Sequence, residues 1–294
     1  MTIDYTTLKS WHFPPVEHTY DAAETIRYAL GVGFGFDPLD ERQLRFVYEK
    51  NLLATPTMAV VLAYPGFWLQ DPKTGVEWLK ILHGEERVTL HAPIPATGTV
   101  TSTHRVTNVI DKGKASGAII TAEKTVRESG SGKLLATVEH VAFCRGDGGY
   151  SRSSSESDAG LPPLAPTPDR APDLVCDLPT MKQQALLYRL CADPNPLHVD
   201  PVAAREAGFP APILHGLATF GVSAHAVLRS CCDYDPTLLR SFAVRFSAPV
   251  FPGETIRTEI WRSSGVGQSG RVQFRARVLE RDIVVLTHGV ADIG

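Results

Sequence analysis

The chain has 294 residues, of which 43% are hydrophobic and 21% are charged, so it carries enough apolar material for about two domains. Its formal net charge is −3 and no run of Lys or Arg occurs, which argues against binding to nucleic acid. The longest apolar stretch, residues 58–69, is too short to span a bilayer, and residues 1–13 lack a secretory pattern, so we expect no membrane association. Five cysteines without a CxxC pair favour a reducing compartment, and we expect a cytoplasmic protein.

The first half of the chain begins with helical patterns and continues with strand patterns. Asp21 and Glu24 have the spacing of a capping box, which predicts a helix that ends at Gly31 and Gly33. Small and apolar residues over 57–69 predict a second helix that is buried on most sides. Alternating patterns then predict strands. They lie at residues 87–91, 99–107, 115–128 and 134–144.

A segment of different composition separates this half from the next. Gly, Ser and Pro dominate residues 147–173, so we interpret the segment as a linker between a unit at 1–146 and a unit at 174–294. The second unit repeats the first: Thr180 and Gln183 predict a capped helix, and residues 216–229 predict a buried one. Its predicted strands lie at residues 242–246, 255–261, 272–279 and 283–290.

Short matches between the halves indicate an internal duplication. They occur in the same order and at similar offsets of 160, 162 and 156 positions. The matched strings are Tyr28-Ala29-Leu30 with Tyr188-Arg189-Leu190, Thr57-Met58-Ala59-Val60 with Thr219-Phe220-Gly221-Val222, and Ala92-Pro93-Ile94 with Ala248-Pro249-Val250. Strands that follow a buried helix predict an α+β fold in which each repeat wraps an antiparallel sheet around one apolar helix.

The densest polar cluster lies at residues 191–200, in a loop where two prolines prevent a helix. One interpretation is a turn in which Asp193 and Asn195 bond the local backbone. The other is catalytic, because a carboxylate and an imidazole held together form a general acid–base pair, and His198 follows Asp193 by five residues. A second loop then enters the helix that is predicted to begin at Gly216, whose free N–H groups can bind a developing oxyanion.

These motifs together resemble those of MaoC-like hydratases. The string Tyr188 to His198 resembles the hydratase 2 motif Tyr-x-Leu-Ser-Gly-Asp-x-Asn-Pro-Leu-His, and Pro212-Ile213-Leu214-His215-Gly216 fits the same family. Leu82-His83-Gly84-Glu85 resembles the N-terminal half of its eukaryotic-type, double-hotdog members. The chain departs from the motif at Cys191-Ala192, where the family has Ser-Gly.

The resemblance implies an (R)-specific enoyl-CoA hydratase with a double hotdog fold, which takes an acyl-CoA thioester as substrate and assembles as a homodimer. It implies that Asp193 and His198 orient the water that adds across the double bond of a trans-2-enoyl-CoA, giving (3R)-3-hydroxyacyl-CoA. The N–H of Gly216 would hold the thioester oxygen, and Asn195 would support the loop. The reaction needs no metal and no redox cofactor, because the thioester already polarises the double bond.

Further residues are predicted to support catalysis or to bind CoA. Glu49 matches a functionally sensitive position of the family, although a surface role is an equal alternative, and His215 precedes the oxyanion glycine. The CoA-binding candidates are His83, Gly84, Lys112 and Lys114. The two lysines lie in a turn that could also be a solvated hairpin, and for His83 we favour a structural or substrate-lining role.

The duplication predicts one active site per chain, at the interface of the halves. The position that aligns with Asp193 is Gly33, and no Asn-Pro-Leu-His string follows it. The first half therefore lacks the acid–base residues, and the resemblance implies that it accommodates the acyl chain. Two alternatives remain: a hotdog acyl-CoA thioesterase and a non-catalytic acyl-CoA-binding module.

Overall fold

A computed structural model describes residues 3–191, 193–263 and 270–294. Its helices are α1 (Tyr5–Lys9), α2 (Ala22–Gly31), α3 (Glu41–Leu44), α4 (Gln184–Tyr188), α5 (Pro201–Glu206) and α6 (Gly216–Cys231). Its strands are β1 (Val16–Tyr20), β2 (Ile81–Leu90), β3 (Gly98–Asp111), β4 (Ala118–Glu128), β5 (Leu134–Cys144), β6 (Leu174–Pro179), β7 (Leu239–Phe246), β8 (Thr255–Arg262), β9 (Arg271–Val278) and β10 (Ile283–Ile293). Within the described ranges, no helix is both long enough and apolar enough to cross a membrane.

All ten strands join one antiparallel sheet in the order β1-β3-β4-β5-β2-β7-β10-β9-β8-β6. The two halves have the same topology: the first strand lies at an edge, the third, fourth and fifth follow, and the second lies at the centre. The pairing of β2 with β7 joins the halves into a continuous sheet. This architecture agrees with the predicted fold of two sheet-and-helix repeats.

The β2–β7 pair shows that the halves are related by a pseudo-two-fold axis. Arg87 lies opposite Ala243, and these positions are equivalent at the offset of 156 that separates Ala92 from Ala248. The flanking pairs, Glu86 with Val244 and Val88 with Phe242, exchange under the same offset. The register is therefore symmetric about the centre of the pair.

Helix α6 forms the core of the second half. Residues 218–228 are all buried, and the helix packs against β6, β7 and β8, as the apolar pattern predicts. Near its middle, Val32 of the first half lies so close that a Cβ on Gly221 would be 2.3 Å from Val32 Cγ1. Glycine at this position allows the two halves to pack closely.

The helix predicted over residues 57–69 is wrong. Only a 3₁₀ turn forms at Pro56–Val60, after which Ala63 (φ 47°) and Gly66 (φ 81°) take left-handed backbone conformations that end any helix. The buried Lys124 Nζ donates hydrogen bonds to three carbonyl oxygens of this segment, at 2.8–2.9 Å. Those bonds replace the ones that a continuous helix would have made within itself. The acceptors belong to Ala59, Val60 and Leu62.

The other helix and strand boundaries predicted from the sequence agree only in part with the structure. Asp21 caps α2 by accepting from the N–H of Glu24, as predicted. The Thr180 box is wrong, because Thr180 Oγ1 donates to the carbonyl of Glu254 and α4 begins only at Gln184. The edge strands β1 and β6 escape prediction, because each is short and its pattern is weak.

The segment between β5 and β6 crosses the surface of the sheet as mostly extended chain, with one 3₁₀ turn at Ser154–Glu156. Asp158 accepts hydrogen bonds from Tyr5 and from the backbone of Val109. The carbonyls of Pro162 and Pro166 accept from arginine and glutamine side chains of β2 and β9. This segment therefore lies against both halves.

Candidate active site

The loop that follows α4 is held by hydrogen bonds to its own backbone. Asp193 Oδ1 accepts from the N–H of Asn195 at 3.0 Å, and Asn195 Oδ1 accepts from the N–H of Leu197 at 3.0 Å. A 3₁₀ turn at Pro196–His198 follows. The turn interpretation of this string is therefore correct, and the turn carries Asp193 and His198 to the same place. Ala192, which replaces the glycine of the family motif, lies outside the described residues.

His198 is buried, and its hydrogen bonds assign its tautomer. Its Nδ1 lies 2.9 Å from the carbonyl oxygen of Ile213, which can only accept, so Nδ1 carries the proton. The second ring nitrogen, Nε2, lies 3.8 Å from Asp193 Oδ2. Burial lowers the pKa of His198, which favours the neutral ring with a free lone pair on Nε2.

His215 fixes the loop against the start of α6. Its ring stacks on that of His198 with centroids 3.7 Å apart, and its Nε2 lies 3.2 Å from the carbonyl oxygen of Asp193. Burial and the neighbouring His198 lower the pKa of His215 to about 3, so this ring stays neutral. His215 therefore bonds within the loop, and its supporting role in catalysis stays a prediction.

Gly216 is the first residue of α6, so its N–H lies at the positive end of a helix dipole. Within the described ranges, no backbone acceptor is found for this N–H. A Cβ on Gly216 would lie 3.3 Å from Cε1 of Phe246, so an aromatic ring flanks the glycine. The candidate site thus combines a carboxylate, an imidazole and a helix N-terminal N–H group beside an aromatic ring.

The first half contributes a buried carboxylate between two imidazoles. Glu86 Oε2 lies 2.9 Å from His83 Nε2 and 3.1 Å from His140 Nδ1. Burial alone would raise the pKa of Glu86, but the hydrogen bonds from His140 and His83 lower it to about 2. The ring of His83 lies 4.2 Å from that of Phe246, so this cluster reaches the wall beside Gly216. His83 thus lies beside the Phe246 ring, and its role in lining the substrate site stays a prediction.

Sequence reasoning missed Glu86, His140 and Tyr64. Glu86 and His140 meet because β2 and β5 pair in a register that places them opposite each other, and no local motif reports that register. Tyr64 is 43% exposed, and its partial burial together with the charges of Asp193 and Glu86 raises the pKa of its phenol, which stays neutral.

The remaining predicted residues make no hydrogen bond or ion pair with Asp193 or His198 in the described part of the chain. Glu49 is exposed, and no hydrogen bond or ion pair in the described part of the chain joins it to Asp193 or His198. Lys112 and Lys114 are exposed on the β3–β4 turn, which lies at the same end of the sheet as His83. Gly84 lies at a bulge of β2, where a Cβ would be 3.1 Å from the carbonyl oxygen of Val141.

Two side-chain groups have the composition and spacing to ligate a metal ion. Each places three potential ligand atoms within 4.8 Å of one another. The groups are His83, Glu86 and His140, and Asp193, His198 and His215. In the second group, His198 Nδ1 and His215 Nε2 already bond backbone carbonyls. Each ring thus offers only its other nitrogen, which is the nitrogen that acid–base chemistry would use at His198.

Comparisons with known proteins point to one family. The family profile described as "MaoC like domain" matches residues 163–282, and the one described as "MFE-2 hydratase 2 N-terminal domain" matches residues 18–146. The chain is similar to enoyl-CoA hydratase ChsH3 of Mycobacterium tuberculosis, with 39% identity over 89% of this chain and 90% of that one. It is also similar to the peroxisomal enoyl-CoA hydratase 2 of Arabidopsis thaliana, with 38% identity over 95% and 92%. A solved MaoC-like dehydratase from Phytophthora capsici superposes with a TM-score of 0.85 at 32% identity, covering 99% of each chain.

Proposed function

Because this chain belongs to the MaoC-like hydratase 2 family, in its double-hotdog form, we propose that it hydrates trans-2-enoyl-CoA to (3R)-3-hydroxyacyl-CoA through Asp193 and His198. The chain is a hydro-lyase. The proposal assigns the reverse dehydration to the same two side chains. The observation that carries the assignment of residues is the 3.8 Å approach of His198 Nε2 to Asp193 Oδ2, with the tautomer of His198 set by Ile213.

The pair activates a water molecule placed between its two polar atoms. The neutral Nε2 of His198 takes a proton from the water as the hydroxyl bonds to C3 of the enoyl group. The imidazolium that forms is stabilised by the carboxylate of Asp193. Asn195 holds the other carboxylate oxygen through its backbone N–H, so the loop keeps Oδ2 aimed at the ring.

The N–H of Gly216 stabilises the charge that the addition creates. As the hydroxyl adds, the π electrons move toward C2 and the thioester oxygen becomes enolate-like. A preorganised donor at the start of a 16-residue helix is suited to that oxygen. The proton held by the pair then passes to C2, the enolate collapses to the thioester, and the pair returns to its starting state.

The CoA part of the substrate would pass the end of the sheet that carries the β3–β4 turn. Lys112 and Lys114 are exposed there and can approach phosphate groups. Glu49 acts at most indirectly in this scheme, since its side chain is exposed and no contact to the pair is found in the described ranges.

The test is the loss of enoyl-thioester absorbance when crotonyl-CoA is mixed with the native chain and with variants. Asp193→Asn keeps the size of the side chain and removes its charge, and we expect a fall in kcat of about 10²- to 10⁴-fold. His198→Ala removes the base, and its kcat should fall at least as far.

The matched control is Asp200→Asn, in the same loop. Asp200 caps α5 by accepting from the N–H of Val202 at 2.8 Å, so the change costs at most about 1 kcal/mol of folding stability. We expect the activity of this variant to stay within about twofold of the native chain, since a surface change away from the pair leaves the chemistry intact. Equal losses in Asp193→Asn and Asp200→Asn would refute the assignment.

We also propose that the chain forms a homodimer in the cytoplasm. The family resemblance supports the dimer, as do the exposed apolar side chains of Trp78, Leu79 and Leu82 beside the start of β2. All five cysteines are free thiols, which supports a reducing compartment. Sedimentation of the native chain and of Leu79→Asp tests the dimer, and a native chain that sediments as a monomer would contradict it.

A further inference from the structure

One cavity of the described chain is lined by residues of both halves and does not include Asp193 or His198. It has a volume of about 240 Å³. Its lining comes from three segments: residues 52–54 and 56, residues 90 and 92–96, and residues 236, 237, 239 and 240 of the second half. Leucine, isoleucine, alanine and proline side chains dominate it. The exposed side chains of Pro93, Thr237 and Arg240 form its rim, so the cavity opens to solvent.

The pseudo-two-fold axis maps the catalytic cleft onto this cavity. At the offset of 156, His83 corresponds to Leu239 and Phe246 to Leu90. At the offset of 162, Gly216 corresponds to Ala54. Leu239, Leu90 and Ala54 all line the cavity. Ala92-Pro93-Ile94, which matches Ala248-Pro249-Val250, lines it as well.

Backbone hydrogen bonds confirm that these regions are built alike. After β2, the N–H of His91 donates to the carbonyl of Leu135 at 2.8 Å. After β7, the N–H of Ser247 donates to the carbonyl of Val285 at 2.9 Å. His91 and Ser247 are again 156 positions apart. The cavity is therefore the structural twin of the cleft.

The twin is lined by residues at positions equivalent to those of the cleft but lacks acid–base groups. Gly33 takes the place of Asp193, and the segment around it does not line the cavity. Arg240 is the one ionisable side chain of the described lining, and it occupies the position equivalent to Gly84. A pocket of this composition can bind an apolar chain but cannot carry out hydration.

The reacting acyl chain does not reach this cavity without repacking the core. About six residues of β2 separate Gly84 from Leu90, a distance of about 20 Å. The space between is filled by the buried side chains of Val88, Phe242 and Val244. An occupant of the cavity is therefore a separate molecule that enters from the rim.

The rim favours an anionic head group. Arg240 donates from Nε to the carbonyl of Gly294, which uses one of the five N–H donors of a guanidinium. The other N–H groups of this exposed guanidinium have no hydrogen-bond partner in the described part of the chain, so they can bind a carboxylate.

We propose that this twin cavity is a second, non-catalytic binding site for a fatty acid, with the aliphatic chain in the cavity and the carboxylate against Arg240. A volume of 240 Å³ exceeds the roughly 150 Å³ of an apolar cavity that binds benzene. The choice of an acyl chain as occupant rests on the proposed function, since the twin shares its architecture with a cleft that takes acyl thioesters.

Calorimetric titration of decanoate into the full chain tests the proposal. Ala54→Phe fills the cavity and should abolish one class of binding sites. Arg240→Ala should weaken that class about tenfold, which corresponds to about 1.4 kcal/mol. Ala171→Phe, which places the same ring on the exposed segment between the halves, should bind decanoate as the native chain does.

Further variants separate the outcomes. Thr237 is exposed at the mouth of the cavity, so Thr237→Trp covers the mouth. This variant should weaken decanoate binding, and it tests the proposal even if Ala54→Phe does not fold. Asp193→Asn saturated with crotonyl-CoA should still bind decanoate, because the two sites are separate. The absence of decanoate binding, or equal binding by the native chain and Thr237→Trp, would overturn the proposal. Hydration of crotonyl-CoA is measured alongside, so a failure of the proposed function is seen independently.

Discussion

Replacement of Gly216 by proline would remove the oxyanion donor with little change to the fold. Proline is favoured at the first position of a helix, where its missing N–H has no partner within the helix. The preceding residue, His215, has φ −55° and ψ 137°, which is the extended conformation that a residue before proline adopts. The backbone conformation is therefore compatible with Gly216→Pro. The variant loses the N–H under test and gains the proline ring.

The magnitude follows from comparison with Gly216→Ala, which keeps the N–H. The new Cβ in either variant lies 3.3–3.7 Å from atoms of the Phe246 ring, so both share the contact that the Cβ makes. The loss of one oxyanion donor costs about 10²- to 10³-fold in kcat, or about 2.7–4 kcal/mol. We therefore expect Gly216→Pro to be about 10²-fold slower or more than Gly216→Ala, with similar free energies of unfolding.

The assay is steady-state hydration of crotonyl-CoA, with urea unfolding of both variants as the control for folding. If Gly216→Pro turns over within about threefold of Gly216→Ala while both are folded, this N–H does not hold the thioester oxygen, because the loss of a donor costs far more. The oxyanion assignment would then be wrong, whatever the roles of Asp193 and His198.

Three further predictions follow from burial and packing. Because burial lowers the pKa of His198, its ring stays neutral at pH values below its ordinary pKa of about 6.5. As the pH falls, kcat/KM should therefore begin to decrease only below pH 6.5, and a decrease that begins above pH 6.5 would contradict the account. Lys124→Met leaves three carbonyls without their donor and should lower the free energy of unfolding in urea by about 3 kcal/mol; a loss under about 1 kcal/mol would refute that role. Gly221→Ala should destabilise the chain by about 1–3 kcal/mol, because its Cβ would lie 2.3 Å from Val32 Cγ1, and a higher melting temperature would show that helix propensity outweighs this overlap.

The sequence predicts elements well where the local pattern alone decides them. Helix α6 begins at Gly216 as expected, because its apolar run is uninterrupted and its start follows a proline-containing loop. Residues 57–69 have a similar composition but form only a 3₁₀ turn. The difference depends on Pro65-Gly66 and on Lys124, whose ammonium group lies on a distant strand and binds the carbonyls that the missing helix leaves free. A tertiary contact of this kind overrides local propensity.

The residues of the candidate site also fall into two groups: those that a local motif predicts and those that only the tertiary fold brings together. Asp193 and His198 are five residues apart, and proline and Asx turns bring them together, so a local motif is enough to find them. Glu86 and His140 meet only through the register of β2 with β5, and His83 meets Phe246 only across the β2–β7 pair. Strand register depends on the whole sheet, which is why no short string predicts these neighbours.

The most direct test of the central claim is the identity of the product formed from crotonyl-CoA. The native chain and Asp193→Asn are incubated with crotonyl-CoA, and the thioester product is analysed by chiral separation while free CoA is assayed. The account predicts (3R)-3-hydroxybutyryl-CoA from the native chain, almost none from Asp193→Asn, and no free CoA from either. Release of free CoA without hydration, or formation of the (3S) product, would contradict it.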